Sequence, residues 1–217
     1  MMQKNKVLKI GLLLICLIAI NTQTFAKRMP EISIQPFLPL LNDLQHRFPK
    51  HFTKNTQKPL IVISASEQRL YLIQNNRVTA SHIISTGLAG MGNRSGSNKT
   101  PLGVHKISQK YGKNAKLGTI FKARQNTRRI AKILTKPNQK SKADNVTTRI
   151  MWLSGLEKNI NKGGKVDSHA RYIYIHGTDE EGRLGNPASH GCIRMKNQAI
   201  IELFEQVSVG TLVNIIE

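Results

Sequence analysis

Two blocks in the last third of the chain decide its reading: Arg171-Tyr172-Ile173-Tyr174-Ile175-His176-Gly177-Thr178 and Ala188-Ser189-His190-Gly191-Cys192-Ile193-Arg194-Met195. The first alternates as a strand. Tyr172, Tyr174 and His176 fall on one face, Ile173 and Ile175 on the other, so a histidine stands at a strand end. The second holds a cysteine with a histidine two residues before it, and twelve residues separate His176 from Ser189. A cysteine nucleophile works as thiolate, and a nearby imidazole takes its proton or stabilises the ion pair. Histidine is the natural general base near neutral pH. Gly191 lets the backbone approach a substrate closely. The Cys192 amide can stabilise a tetrahedral oxyanion, and Arg194 can hold a carboxylate by charge and paired hydrogen bonds.

Three plainer readings compete. Either histidine, or the cysteine, can simply pack. His176, His190 and Cys192 can bind zinc, although no regular metal spacing supplies a fourth ligand. Arg194 can belong to a structural ion pair.

Working outward, Asn197 can cap a helix to about Val207, with Ile200, Ile201, Leu203, Phe204 and Val207 as its apolar stripe. Thr211 to Ile216 reads as a final strand. Upstream, Leu60-Ile61-Val62-Ile63 is a short apolar run, and Arg69 to Ile73 with Arg77 to Ser85 flank Gln74-Asn75-Asn76 as a hairpin. Gly87 to Gly103 is loop-like, and its Gly-x-x-Gly-x-Gly precedes no apolar helix, so it is not a dinucleotide fingerprint. Lys106 to Arg149 carries 13 Lys and Arg against one acid, Asp144. A helix is expected there near Phe121 to Leu134, and a loop near Lys136 to Asn145. The stretch fits an acidic envelope polymer, an anionic surface or a merely solvated face; nucleic acid is an improbable partner for an exported protein.

The N-terminus reads as an address. Lys4, Lys6 and Lys9 precede the apolar run Ile10 to Ile20, and Thr24 and Ala26 are the small residues of a cleavage site. Residues 1–26 are therefore expected to be a secretory signal peptide, since the run falls short of the roughly 18 residues a span needs. Cleavage removes three lysines and no acid, taking the formal charge from +21 to +18. It also removes Cys16 and leaves Cys192 as the single thiol. Residues 27–57 form an N-terminal segment or linker, in which Leu40, Leu41, Leu44 and Phe48 recur at helical spacing. Its expected role is packing on the domain at 58–217. The whole chain has 217 residues, 39% of them hydrophobic and 21% charged, which is enough to bury a core without metal or disulfide staples.

The two blocks resemble the L,D-transpeptidase catalytic domain, also called the YkuD domain, over Lys58 to Glu217. Supporting matches are Ser85-Thr86-Gly87, Thr100-Pro101-x-Gly103, Arg149 to Glu157 and Gly210-Thr211-x-Val213. The family signature often shows a longer gap between its blocks and Asn where Arg194 stands; both variants look familiar in the branch with Cys-Ile-Arg. The resemblance implies a mostly β fold with minor α, a sandwich or curved sheet packed by one or two helices. It implies Cys192 as nucleophile and His176 as proton acceptor and donor, with His190 as the third catalytic candidate. His190, Gly191 and Ser189 would shape the site, and Arg194 would hold the substrate or the cysteine loop. Gly177 and Thr178, beside His176, join the substrate-binding candidates. The implied partners are peptidoglycan stem peptides as donor and acceptor, with an envelope protein as a further acceptor. No cofactor and no metal are implied, and no membrane segment remains after cleavage. Part of 108–146 would form a lid, and the location would be the periplasm or cell wall. Hydrolytic relatives and a non-catalytic basic envelope binder are the alternatives. A papain-like enzyme is disfavoured because its cysteine precedes its histidine, and a sortase because its Thr-Leu-x-Thr-Cys-like strand is absent.

Overall fold

In the computed structural model, which describes residues 32–53 and 56–217, helix α1 (Leu38–Arg47) and a small hairpin come first. The hairpin pairs β1 (Phe52–Thr53) with β2 (Thr56–Gln57). Ten strands follow in one mixed sheet: β3 (Leu60–Ser64), β4 (Arg69–Gln74), β5 (Arg77–Ser85), β6 (Gly103–Tyr111), β7 (Thr119–Lys122), β8 (Gln125–Ile130), β9 (Val146–Gly155), β10 (Tyr174–Thr178), β11 (Ile193–Met195) and β12 (Leu212–Ile216). Helix α2 (Asn197–Gln206) lies between the last two strands. The expected signal peptide at 1–26 lies outside the described residues.

The strand order is β10-β11-β5-β4-β3-β12-β6-β9-β7-β8, and β9 also pairs with β10. Eight strands therefore close into a ring, from which the β7–β8 hairpin projects off β9. Closure removes free edges. The outer edge is β8, where Arg128 and Arg129 are exposed and such charges discourage strand addition.

The apolar run in β3 is buried on both sides because each side has a cover. Ile61 and Ile63 join Leu70, Leu72, Ile175, Ile193 and Met195, beneath Ile200, Leu203 and Phe204 of α2. Leu60 and Val62 join Tyr71, Ile73 and Leu212, beneath Phe37, Leu41 and Leu44. The N-terminal segment is thus a second cover, and Leu44 alone, fully buried, contributes about 2 kcal/mol. Arg47, oriented by Asp43 of the same helix at 2.9 Å, pins α1 by pairing with Glu157. The β4–β5 turn uses Asn75 and Asn76 at φ 51° and 57°, the left-handed geometry a two-residue hairpin wants and asparagine tolerates.

Three expectations need correction. Phe121 to Leu134 is not helical: β7 and β8 turn through Ala123-Arg124. Gln125-Asn126-Thr127-Arg128-Arg129 offers no apolar stripe, while Ile120 and Phe121 are buried in β7, which pairs with β9. Asn197 is the first helical residue of α2, not its cap, which is Lys196. The strand ending at His176 starts at Tyr174, because Tyr172 adopts φ 57°.

Candidate active site

Strands β10 and β11 run parallel, with Ile175 opposite Ile193 and His176 opposite Arg194. On the other side Tyr174 faces Trp152 of β9, and His176 faces Ile150. Ile175, Ile193 and Met195 point into the core. Strand alternation sends Tyr174, His176, Cys192 and Arg194 to the opposite face, where His176 and Cys192 are diagonal neighbours. A bulge between His176 and Gly177 interrupts pairing with β9, where Thr148 takes φ 66°. Bulges re-aim side chains at sites of this kind.

The cysteine turn is held by backbone and hydroxyl contacts. Ser189 Oγ donates to the Cys192 carbonyl at 2.5 Å and accepts from the Gly191 amide at 3.0 Å. Gly191 has φ 116°, and a Cβ there would stand 3.0 Å from the Lys99 carbonyl, so glycine is required on both counts. Thr100 Oγ1 donates to the Gly191 carbonyl at 3.0 Å and accepts from the Gly87 amide at 2.8 Å. The Gly-rich loop thereby buttresses the turn. Cys192 is half-buried. Its thiol donates to the Tyr172 carbonyl and accepts from the Tyr174 amide, each at 3.4 Å. Burial pushes the thiol up to about 11, against the pull of the Tyr174 amide, Arg194 and Arg171.

His176 is buried, and burial lowers it to about 4, with Arg194 acting in the same direction. Its Nδ1 lies 2.7 Å from the Gly177 carbonyl. Burial disfavours the charged form of both groups and so works against the thiolate–imidazolium pair and towards a neutral thiol beside a neutral imidazole.

Arg194 is 2% exposed and donates to Glu180 at 2.8 Å and to Asp144. Of its two sequence readings, the structural ion pair describes its contacts here. Burial works to raise Glu180, but the Ser141 amide, Arg183 and Arg194 together hold it below its ordinary range. Asp144 also accepts from His190 Nδ1 at 3.0 Å, and His190 is exposed at the rim. Leu88, Lys140, Lys142, Asp144, His190 and Arg194 line a cavity of about 400 Å³ there. Gly177 and Thr178 are buried. A Cβ on Gly177 would meet Asn197 Oδ1 at 2.7 Å, and the Thr178 carbonyl accepts from Asn197 Nδ2 at 2.7 Å. Their contacts are to the start of α2.

On the other side of the thiol stands an aromatic wall. Trp152 stacks on His169 at 3.9 Å and on Tyr172 at 5.4 Å, and meets Tyr174 edge-on at 5.6 Å. Sequence reading had singled out neither Trp152 nor the roles of Asp144, Glu180 and Thr100. Signals existed for two of them: Asp144 is the sole acid of the basic stretch, and Trp152 is the sole tryptophan of the chain.

The model of the YkuD family, described as the L,D-transpeptidase catalytic domain, matches residues 58–215, and the chain belongs to that family. It is similar to a probable L,D-transpeptidase of Escherichia coli K12, YbiS, with 47% identity over 47 residues, 22% of this chain and 15% of the relative. A second probable L,D-transpeptidase of the same organism, YcfS, is 29% identical over 159 residues, 72% of this chain and 43% of the relative. The matches thus span less than half the length of each of these curated relatives. Among solved structures, L,D-transpeptidase 3 from Mycobacterium tuberculosis, in complex with a faropenem-derived adduct, is 15% identical with a TM-score of 0.46. That match covers 74% of this chain and 60% of the other.

Proposed function

We propose that this chain is a cysteine-dependent acyltransferase acting on peptidoglycan stems, an L,D-transpeptidase in activity as well as in family. The observation that carries the reading is the hydrogen bond from His176 to Gly177. A carbonyl only accepts, so Nδ1 holds the proton and Nε2 keeps the lone pair, on the face His176 shares with Cys192.

The donor is a tetrapeptide stem. Cys192 Sγ bonds to the carbonyl carbon joining the third residue, a diamino acid, to the terminal D-alanine. Nε2 of His176 takes the thiol proton in the same step, because burial disfavours charge on either group beforehand. The Cys192 amide stabilises the oxyanion. The C–N bond then breaks, the imidazolium gives its proton to the departing amine, and a thioester remains. An acceptor amine next loses a proton to Nε2, attacks the thioester and releases the thiol. A second stem as acceptor gives a cross-link between third residues, a protein lysine gives wall attachment, and water gives hydrolysis. Ser189 and Gly191 shape the cysteine turn, and Arg194 fixes it. Gly177 and Thr178 fix the strand end, and His190 with Asp144 fastens residues 131–145 as a lid at the rim. No cofactor enters these steps. The protein works in the periplasm or wall, where acidic polymers match its basic segment.

The test is intact mass after incubation with a carbapenem, beside D-alanine release from a tetrapeptide. An adduct and release by the wild type, both lost in Cys192→Ala, are expected. A folded wild-type protein giving neither, yet still binding cell wall, overturns the proposal in favour of a non-catalytic binder.

A further inference from the structure

The β7–β8 hairpin turns through two consecutive left-handed residues, Ala123 at φ 44° and Arg124 at φ 70°. Asn-Gly suits such a turn, and an alanine followed by an arginine holds it only at a conformational cost. The turn carries the Arg124 guanidinium to 4.6 Å from the Trp152 ring centre and 5.3 Å from that of Tyr172. It also donates to the Tyr174 hydroxyl at 3.1 Å. These two tyrosines are the residues that hold the Cys192 thiol through their backbones, so arginine and nucleophile share one wall.

Arg124 takes part in none of the ion pairs among the described residues, whereas Arg47, Arg183 and Arg194 each do. It is half-buried and pre-set by stacking. A planar cation with donors to spare, fixed against the aromatic wall whose backbone holds the nucleophile, is built to receive a carboxylate. The carboxylate closest to the attacked carbonyl in the donor belongs to the leaving residue, one residue or about 4 Å beyond it.

We propose that Arg124 is a specificity-determining residue that binds the terminal carboxylate of the leaving residue of the donor. The inference rests on the acyl-transfer reading. Arg124 exchanges no proton or electron in it: the C–N bond breaks, His176 protonates the amine, and the freed amino acid departs with its carboxylate unchanged.

The test compares three donors: a tetrapeptide with all its carboxyls free, its C-terminal amide, and a tetrapeptide whose third residue is lysine, which lacks the side-chain carboxylate. Arg124→Gln is expected to lower kcat/KM on the free acid about 10- to 100-fold, the range of a charge-assisted bond. It should cost as much on the lysine donor and leave the slower amide donor unchanged. Arg124→Lys should restore part of the loss. An equal loss on all three donors overturns the proposal, and so does a loss confined to donors bearing the side-chain carboxylate. Trp152, the sole tryptophan, reports binding separately from turnover. In Cys192→Ala, the acid tetrapeptide should quench or shift its fluorescence at lower concentration than the amide, and Arg124→Gln should erase the gap. Equal affinities for acid and amide overturn the inference. Absence of turnover with the affinity gap intact overturns the acyl-transfer reading instead.

Discussion

Two arginines of the site, Arg194 and Arg124, occupy opposite environments. Arg194 is buried with Glu180 and Asp144, each hydrogen bond spent on a carboxylate of the chain itself. Arg124 lies against Trp152 and Tyr172 with a neutral phenol as its hydrogen-bonded partner. A saturated cation of the first kind fixes geometry: it ties β11 to the segment at 180–183 and, through Asp144, to the loop before β9. An unsaturated cation of the second kind has binding capacity in reserve. His176 stands opposite Arg194 on β11 and shares a strand face with Tyr174. Its loss of basicity comes from burial first and from Arg194 second.

That contrast is open to attack from three sides. The largest effect is expected at Arg194. Arg194→Ala removes the buried partner of Glu180, which keeps only Arg183, and strips Asp144 of its arginine; breaking such a buried pair costs about 3–5 kcal/mol. Denaturant unfolding measures it, and a loss no larger than that of an exposed ion pair would dissolve the distinction. Next come the buried histidines. His105, fully buried and bonded to Gly103 and Ser168, is lowered by burial from 6.5 to about 4, as His176 is. Below 6.5 the unfolded chain binds protons that the folded chain refuses, so their stabilisation is complete above 6.5 and declines as pH falls towards 4. For His105 this amounts to at most about 3 kcal/mol. Melting temperature against pH should therefore fall on that limb, and His105→Gln should flatten part of it without moving the acid limb of donor turnover. The smallest effect is expected at Arg124: Arg124→Gln should melt where the wild type melts, despite its effect on donor choice. A large drop in melting temperature would make Arg124 a structural residue like Arg194.

Much of this was legible in the sequence because it depends on short-range pattern. The alternation of Ile173 and Ile175 with Tyr174 and His176, the paired asparagines of the β4–β5 turn and the stripe of α2 are each decided within about ten residues. The hairpin at 119–130 was not legible. Its strands are polar and exposed on β8, and β7 is a strand because β9 offers it an edge, a partner more than twenty residues away. Asn197 looked like a cap because asparagine often is one; its side chain instead bridges Thr147, Thr178 and Glu181, a set assembled by the fold. Arg194 was ambiguous for the same reason. Whether an arginine meets substrate or protein depends on acids 14 and 50 positions earlier in the chain.

Helix α1 has a practical consequence for anyone dissecting this chain. The family match begins at residue 58, which invites trimming there. Such a cut would bare Leu60, Val62, Tyr71, Ile73 and Leu212 together, a contiguous greasy panel now roofed by Phe37, Leu41 and Leu44. Panels of that sort recruit other molecules. The shortened protein would carry every residue of the reaction centre and still precipitate, and its silence in an assay would speak of the missing roof, not of the chemistry.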